Sequence, residues 1–398
     1  MRPRLGWLLG VLALVPALAS AQKDEAREVF YRSIRSSGTV NATLIQTKRV
    51  SDDNHSTVKF SVMTNSRGAS RRTVLQPLSM EGTILIDDGR TWTTIEPEKR
   101  EAMIQPSPLR DKLDSRVRWR LIQANYNLKG DGEIRVAGRK ALAVRALPKD
   151  DAMPTRRYTI DIETYVLLRI ESASDDGKMD VLMDTLAANF PREMEPSLFE
   201  ISTEGYKIKR TEYPKPLKEV SSPEAALGFS PRLPTIIPFG FKVTQKHLVG
   251  GTDNQFLALR LSDGLSMVTV YQWDSDRRYP DSPFLRSKDG TDAEGISFKV
   301  VGDVPRAVRK KLAQAFVEMN GVQKTAYAEG EFSGARVRCS DTAPTIAENR
   351  SEGRFRWQVS PPEPPPIPDL PETDRSRGIG VENDPRFDLV MVVRGRRQ

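Results

Sequence analysis

The sequence is poor in the residues that bind metals or form disulfides. It holds two histidines, His55 and His247, and one cysteine, Cys339, among 398 residues. A single cysteine excludes an internal disulfide framework and every Cys-x-x-Cys zinc or redox motif. Two histidines far apart in sequence leave little room for a histidine-based metal site. The sequence therefore predicts neither a metal nor another cofactor.

Motifs of catalysis and nucleotide binding are missing as well. His55 lies in a polar turn and His247 in a predicted strand, and neither is joined to a nucleophile motif. No Walker loop and no Gly-x-Gly-x-x-Gly motif occurs, so the sequence does not indicate nucleotide binding. Carboxylate pairs such as Asp150-Asp151 lie in turn-like contexts. We therefore expect a protein that works by binding and is not an enzyme.

Positive charge is in excess but dilute. The chain has 61 Lys and Arg against 53 Asp and Glu, a net charge of +8. Clusters such as Arg309-Lys310-Lys311 are short and lack interleaved aromatic residues, which argues against a nucleic-acid partner. In an exported protein, a cationic face suits anionic lipid, phosphorylated glycolipid or an acidic peptide. An ordinary solvated surface is the alternative interpretation.

The N-terminal segment has the features of a secretory signal peptide. Arg2 and Arg4 precede the apolar stretch Leu5 to Leu18, and Ala19-Ser20-Ala21 follows as a cleavage site. This order predicts a signal peptide over residues 1–21 and an exported mature chain. The apolar run is shorter than the about 20 residues of a membrane-spanning helix. An uncleaved N-terminal anchor is the alternative.

Residues 22–212 begin as a helix and continue mostly as strands. Apolar residues at helical spacing predict a helix over 22–36. From there the period changes to two, which predicts half-buried antiparallel strands. Asp88-Gly89 separates two such strands as a hairpin turn. A second helix is expected at Leu113 to Leu121, where apolar residues recur at a spacing of four.

The remaining chain divides into three parts. Residues 213–234 carry five prolines and little periodicity, which predicts a linker. Residues 235–320 have strand patterns, a hairpin turn at Asp263-Gly264, and an apolar helical stripe for which Asp303 is the expected N-cap. Residues 321–398 predict a proline-rich, largely disordered tail.

These patterns favour an α+β fold with an N-terminal antiparallel β-barrel that stays unclosed, carries helices, and is followed by a smaller C-terminal α+β domain. A sheet that curls without closing offers an apolar concave face to acyl chains or a peptide. Ordinary core packing is the alternative for each residue on that face. The candidates are Val58, Phe60, Val62, Ile84, Ile86, Trp92 and Met103.

Two series of short motifs resemble a known family. The first series resembles the lipoprotein-carrier-like domain shared by the chaperone LolA and the RseB/MucB regulators, and the second resembles the C-terminal domain of RseB/MucB, which a plain carrier lacks. The first comprises Asn125-Tyr126, Val136 to Ala141, Ala146 to Lys149, Arg157 to Ile162 and Leu167-Leu168-Arg169; the second comprises Pro238 to Phe241, Ser262 to Leu265 with Val268 to Tyr271, and Val300 to Pro305.

The resemblance implies a periplasmic regulator of envelope-stress signalling. Its partner would be the periplasmic segment of a membrane-anchored anti-sigma factor, which it shields from proteolysis. Acyl lipid or lipoprotein would be sensed by the unclosed barrel. Phe241, Leu265 and Tyr271 in the second series are the candidate partner contacts.

One position departs from the family pattern, because Tyr165 stands where the family often has glycine. The alternative function is a periplasmic lipid or lipoprotein carrier without a signalling role. A peripheral contact with the membrane is compatible with the charge, and the oligomeric state stays open.

Overall fold

The computed structural model describes seven stretches of the chain, and all of them lie in one compact unit. The expected signal peptide (1–21), Cys339 and the predicted tail (321–398) lie outside these residues, and the predicted domain bounds stay predictions. The described stretches are 25–36, 38–49, 56–174, 176–211, 214–250, 255–276 and 291–318.

The first sheet contains twelve strands in the order β12-β6-β5-β4-β3-β2-β1-β11-β10-β9-β8-β7. All neighbours pair antiparallel except β12, which runs parallel to β6. Among the described strands, the two end strands β12 and β7 do not pair with each other, so the predicted α+β fold with an unclosed sheet is confirmed. The strands are β1 Ala42–Arg49, β2 Thr57–Thr64, β3 Ser70–Gln76, β4 Ile84–Asp87, β5 Thr91–Glu96, β6 Glu101–Pro106, β7 Tyr126–Val136, β8 Arg139–Pro148, β9 Arg156–Asp161, β10 Leu167–Ala173, β11 Met179–Asn189 and β12 Lys207–Arg210.

Two helices pack on one face of this sheet, here called the helix face. Helix α1 spans residues 25–36, and helix α2 spans Ser115–Asn125. The Asp114 side chain caps the N-terminus of α2. It accepts hydrogen bonds from the backbone N–H groups of Arg116 and Val117 at 2.8 and 3.2 Å, as is typical of an N-cap residue. The apolar stripe of α1 and Ile122 of α2 are buried against β7 to β11. Apolar spacing predicts both helices, but α2 starts and ends later than the expected Leu113 to Leu121, and its buried residue, Ile122, lies outside the expected stripe.

The second sheet contains six strands in the order β13-β14-β15-β16-β18-β17. Helix α4 packs its apolar stripe on one face of it and forms the second core. The predicted hairpin at Asp263-Gly264 joins β15 to β16. The elements are β13 Lys215–Pro216, α3 Pro223–Leu227, β14 Lys242–Val249, β15 Phe256–Ser262, β16 Met267–Asp274, β17 Thr291–Ala293, β18 Ile296–Gly302 and α4 Arg306–Val317.

The segment expected to be a linker contributes to the second core. Leu217 and Leu227 are buried there, beside Phe241 and Leu257. Pro216 ends β13, and α3 begins with Pro223, as proline does at a first helical position. Part of residues 213–234 is therefore packed structure.

The expected cap of α4 is wrong. The helix begins at Arg306 after Pro305, and no side chain caps it. The Asp303 carboxylate instead accepts a hydrogen bond from Arg156 of β9 at 3.1 Å. The Asp303 side chain, which the local sequence predicts to be a helix cap, therefore forms a long-range ion pair instead.

The turn between β9 and β10 depends on a buried carboxylate. Asp161 accepts hydrogen bonds from Nε and Nη2 of Arg139, at 2.7 and 3.1 Å, and from the backbone N–H of Thr164 at 2.8 Å. Burial alone would raise the pKa of Asp161, but the hydrogen bonds from Arg139 and Thr164 outweigh it, and the pKa lies below its ordinary value. The ionised form is therefore the one that stabilises the fold.

We predict that Asp161→Asn lowers the free energy of unfolding by about 2 kcal/mol at pH 7, because hydrogen bonds to the charged carboxylate are lost. Since the folded pKa is depressed, this stabilisation is present above the unfolded pKa of about 3.9 and is lost as the pH falls through the folded pKa. Urea unfolding at pH 7 to 3 should show the difference from wild type shrinking. Glu193→Gln, at an exposed position, is the control, and a pH-independent difference would contradict the assignment.

Candidate ligand cleft and inter-sheet junction

An open cleft lies on the helix face of the first sheet. Its cavity volume is about 60 Å³. Most of its lining is apolar and comes from α1, β1, β9 and β10. Among the described residues that line it, Arg118 of α2 alone carries a charge. The mixture of an apolar wall with a few polar groups is typical of a small-molecule site, but the cavity is smaller than the about 300–1,000 Å³ of most such sites. The apolar wall includes Phe30, Ile34, Leu44, Ile160 and Leu167.

Tyr165 ties helix α1 to the rim of this cleft. Its hydroxyl accepts a hydrogen bond from Nη1 of Arg32 at 2.7 Å, and the Arg32 guanidinium lies 5.2 Å from the centroid of its ring. The residue has a φ of 58°, a conformation that is unfavourable for a bulky side chain. The glycine that the family often has would avoid this strain but would lose the contact with α1.

The predicted concave-face residues divide between two faces. Val58, Phe60, Val62 and Trp92 are buried in one cluster on the helix face. This cluster reaches the cleft through Leu44, which pairs in register with Val62.

The other three predicted residues do not belong to this buried cluster. Ile84 and Ile86 flank Leu85 in β4, and because Leu85 belongs to the helix-face cluster, the alternation of the strand puts both isoleucines on the opposite face. Met103 is half-buried and lies opposite Thr94 of β5. None of the seven lines the cleft, and their role in ligand binding stays a prediction.

The helix face also buries polar side chains that the sequence analysis missed. Gln46 and Lys48 of β1 are fully buried, and Gln46 donates to the Thr185 hydroxyl at 3.1 Å. The guanidinium of Arg72 lies 5.5 Å from the Trp92 ring centroid. Burial raises the pKa of Asp87. Strand periodicity could have located Gln46 and Lys48, because they continue the alternation of Ala42 and Leu44.

Helix α2 joins the first sheet to the turn between β15 and β16. Nδ2 of Asn125 donates to the carbonyl oxygens of Asp263 and Gly240 at 2.9 and 3.2 Å. The Tyr126 hydroxyl donates to Oδ2 of Asp263 at 2.6 Å. Nε of Arg118 donates to the carbonyl oxygen of Gly264 at 2.9 Å. The junction is therefore built on specific polar contacts.

Arg156 is the buried charge of this junction. Its Nη1 donates to the carbonyl oxygen of Leu265 at 3.1 Å, and its Nη2 donates to the carbonyl oxygen and Oδ2 of Asp303 at 3.0 and 3.1 Å. Burial alone would lower the pKa of Arg156, but the negative charge of Asp303 more than compensates, and the net pKa is raised. Arg156 therefore stays charged between the sheets.

Each side of the junction inserts one side chain into the core of the other. Leu265 of the second sheet's turn packs in the first core beside Ile122. Met153, from the loop between β8 and β9, packs in the second core. The two cores thus share residues, and the sheets pack as one body.

The predicted partner contacts take different positions in this arrangement. Phe241 and Leu265 are 0% and 1% exposed, so in this structure they fill cores. Tyr271 is half-buried on the opposite face of β16 from Val270 of the second core, with its ring 5.8 Å from that of Phe256. A role of these three residues in partner binding stays a prediction.

Two glycines of the second sheet have little space for a side chain. At Gly264, with a φ of +101°, a Cβ would lie 2.7 Å from the backbone nitrogen of Ile122. At Gly240, with a φ of +70°, it would lie 1.9 Å from Oδ1 of Asn125. The motifs that carry the family resemblance therefore meet at the junction, although they are more than 100 positions apart in sequence.

We predict that Gly264→Ala destabilises the chain by at least about 1 kcal/mol more than Gly138→Ala. Both glycines have a positive φ, but a Cβ at Gly138 meets no atom within 4 Å. The alanine at 138 should suffer only backbone strain, whereas the alanine at 264 also overpacks against the α2 backbone. Urea unfolding followed by circular dichroism measures both, and equal losses would contradict the close approach.

Neither a metal site nor a membrane span is found in the described part of the chain. No group of three or more His, Cys, Asp or Glu residues there is arranged to hold a metal ion. None of the described helices has the length and hydrophobicity needed to cross a bilayer.

Comparisons with solved structures show a known fold. A chain in the complex structure of Pseudomonas aeruginosa MucA/MucB is 17% identical, with a TM-score of 0.52, over 73% of this chain and 97% of that chain. Crystal structures of MucB alone and of MucB in complex with MucA(peri) give identities of 17% and 16% and TM-scores of 0.49, with the same coverage. A LolA superfamily protein from Nitrosomonas europaea is 11% identical, with a TM-score of 0.22, over 46% of this chain and 97% of that one.

A comparison with family models identifies one domain. No curated protein matches the sequence. The model described as the MucB/RseB N-terminal domain matches residues 48–187, which run from β1 through α2 to β11. Over these residues the chain therefore carries a domain of the MucB/RseB N-terminal type.

Proposed function

We propose that this protein is a periplasmic regulator of envelope-stress signalling that binds the periplasmic segment of a membrane-anchored anti-sigma factor. The observation that carries the proposal is the second sheet, joined to the family domain through a built junction. A plain carrier does not need this sheet. The solved complex of the related MucB with MucA supports a protein partner of this kind.

The expected export supports the periplasmic location. Arg2, Arg4 and the apolar stretch before Ala19-Ser20-Ala21 have the order of a signal peptide. A single cysteine is compatible with an oxidising compartment, because no disulfide is needed to hold the sheets.

The cleft supports a second part of the proposal, the sensing of lipid or of the acyl part of a lipoprotein. Its apolar wall between α1 and the sheet suits a hydrocarbon chain, since burying apolar surface drives such binding. Arg118 beside this wall suits an acidic end of the same ligand. The cleft also favours the alternative function of a lipid or lipoprotein carrier, but that alternative gives the second sheet no role.

We predict saturable binding between the mature chain and the purified periplasmic segment of the anti-sigma factor from the same bacterium, measured by titration calorimetry. Deleting the gene should raise the output of the corresponding sigma-factor reporter. The periplasmic segment of an unrelated single-span protein serves as the control. Absence of binding together with an unchanged reporter would overturn the regulatory role, and bound acyl lipid in that case would favour the carrier.

We predict that Leu167→Trp weakens the binding of cis-parinaric acid, a fluorescent fatty acid, by at least about tenfold. The larger side chain fills part of the cleft that an acyl chain would need, and tenfold corresponds to about 1.4 kcal/mol. Leu186→Trp is the matched control, because Leu186 of β11 is 49% exposed and does not line the cleft. Equal affinities of both variants for the fatty acid would place its site elsewhere.

A further inference from the structure

Both faces of the second sheet are buried. Strand β15 is buried at six of its seven positions, and β18 is buried at its first five. A strand with one face in water alternates between buried and exposed positions, whereas a continuous buried run indicates cover on both faces. One face packs against α4 and forms the second core.

The opposite face, here called the outer face, carries a cluster of aromatic residues. It comprises the side chains that alternate along each strand with those of the second core. Phe256 and Trp273 are 7% and 4% exposed, and Val249 and Tyr271 pack against them. The other buried members of the outer face are His247, Ala258, Ser297 and Lys299.

The described elements leave this burial unexplained. In the described part of the chain, α3 and α4 are the helices beside the second sheet, and both contribute to the second core on the other face. A tryptophan on an open sheet face keeps one side of its ring in water, but Trp273 is almost inaccessible. The outer face therefore needs a further cover.

The stretch Phe387 to Val393, near the C-terminal end, has the sequence of a covering strand. It lies outside the described residues, and its sequence Phe-Asp-Leu-Val-Met-Val-Val is apolar at six of seven positions. Such β-branched and aromatic residues favour a strand, and a strand of this composition is an aggregation hazard unless a surface buries it. Residues 277–290, which lie nearer in sequence, carry six charged residues and two prolines, which makes them a poorer cover.

We propose that Phe387 to Val393 docks on the outer face of the second sheet and covers Trp273 and Tyr271. Residues 319–386 connect α4 to this segment. Because an extended chain spans up to about 3.3 Å per residue, this connection reaches every part of the sheet.

The charges of the two surfaces are complementary. Arg260 and Lys299 belong to the outer face, since they alternate with Leu259 and Val300 of the second core. Asp388 is the one charged residue of the docking segment. A carboxylate beside either cation forms a charge-assisted hydrogen bond, so the segment supplies both the apolar surface and the charge that this face accommodates.

Docking of the segment would also hide Tyr271 from a protein partner. A partner that uses Tyr271 would have to displace the segment first, and the C-terminal end would then act as an intramolecular competitor. This competition rests on the predicted partner contact at Tyr271, whereas the cover itself needs no partner.

Photo-crosslinking of the full mature chain identifies what covers the outer face. Leu389 is replaced by p-benzoylphenylalanine, and the irradiated protein is digested and analysed by mass spectrometry. We expect intramolecular cross-links from position 389 to peptides of β14 to β16. The same replacement at Ile367, in the proline-rich stretch, is the control and should give no such links. Cross-links between two chains, links to other elements, or no links to these strands would overturn the proposal.

Hydroxyl-radical footprinting measures the cover directly. In the full chain, Leu389→Asp with Met391→Asp should raise the labelling rates of Trp273 and Tyr271 by at least about fivefold, because the outer face would then be open to water. Ile367→Asp with Leu370→Asp is the matched control and should leave both rates unchanged. Unchanged labelling of Trp273 in the first variant would overturn the cover.

Two further readouts separate the outcomes. Trp92, buried in the first sheet and 6% exposed, should keep its labelling rate, and a rise there would show that the variant has lost its fold, so that the cross-links decide. The Leu389→Asp, Met391→Asp variant should bind the periplasmic segment of the anti-sigma factor at least about fivefold more tightly, the lower end of typical couplings. Unchanged affinity would overturn the competition and leave the cover standing.

Discussion

The structure depends on one buried charge, the guanidinium of Arg156 between the two sheets. Removing an arginine from water is unfavourable unless its hydrogen bonds and its charge are satisfied. Here the carbonyl oxygens of Leu265 and Asp303 and the Asp303 carboxylate bind its two terminal nitrogens, while Nε is buried without a hydrogen-bond partner, and all three acceptors belong to loops of the second sheet. Separating the sheets would leave Arg156 without these partners, so the first sheet reaches its stable form together with the second.

This dependence explains which parts of the fold were predictable from the sequence. Helices α1 and α2 and the hairpins at Asp88-Gly89 and Asp263-Gly264 follow from local spacing and turn chemistry, and the structure has them. The N-cap assignment of Asp303 failed because its partner lies 147 positions earlier in the chain. The packing of the proline-rich segment was missed for a similar reason, since Leu217 and Leu227 are held by β-strands that follow them.

The candidate site was less predictable than the fold. The alternation of apolar and polar residues in β2 identified Val58, Phe60 and Val62 as one buried face. In β4 three successive residues are apolar, so the sequence pattern does not show that Ile84 and Ile86 face away from Leu85. The cleft itself is assembled from α1, β1 and β10, which become neighbours only because β1 pairs with β11. Such a pairing, between strands more than 130 positions apart, has no local signal in a single sequence.

Tyr165 and Arg118 give the cleft a character that differs from a plain hydrocarbon groove. At Tyr165 the chain accepts an unfavourable φ where glycine would avoid the strain, and it gains a hydrogen bond to Arg32 that holds α1 beside the opening. At Arg118 a charge stands next to an apolar wall and also bonds to the second sheet. A carrier needs only release and capture of its ligand, for which a contact between the lining and a distant sheet is superfluous. Because Arg118 both lines the cleft and bonds to Gly264, the cleft and the second sheet are coupled structurally.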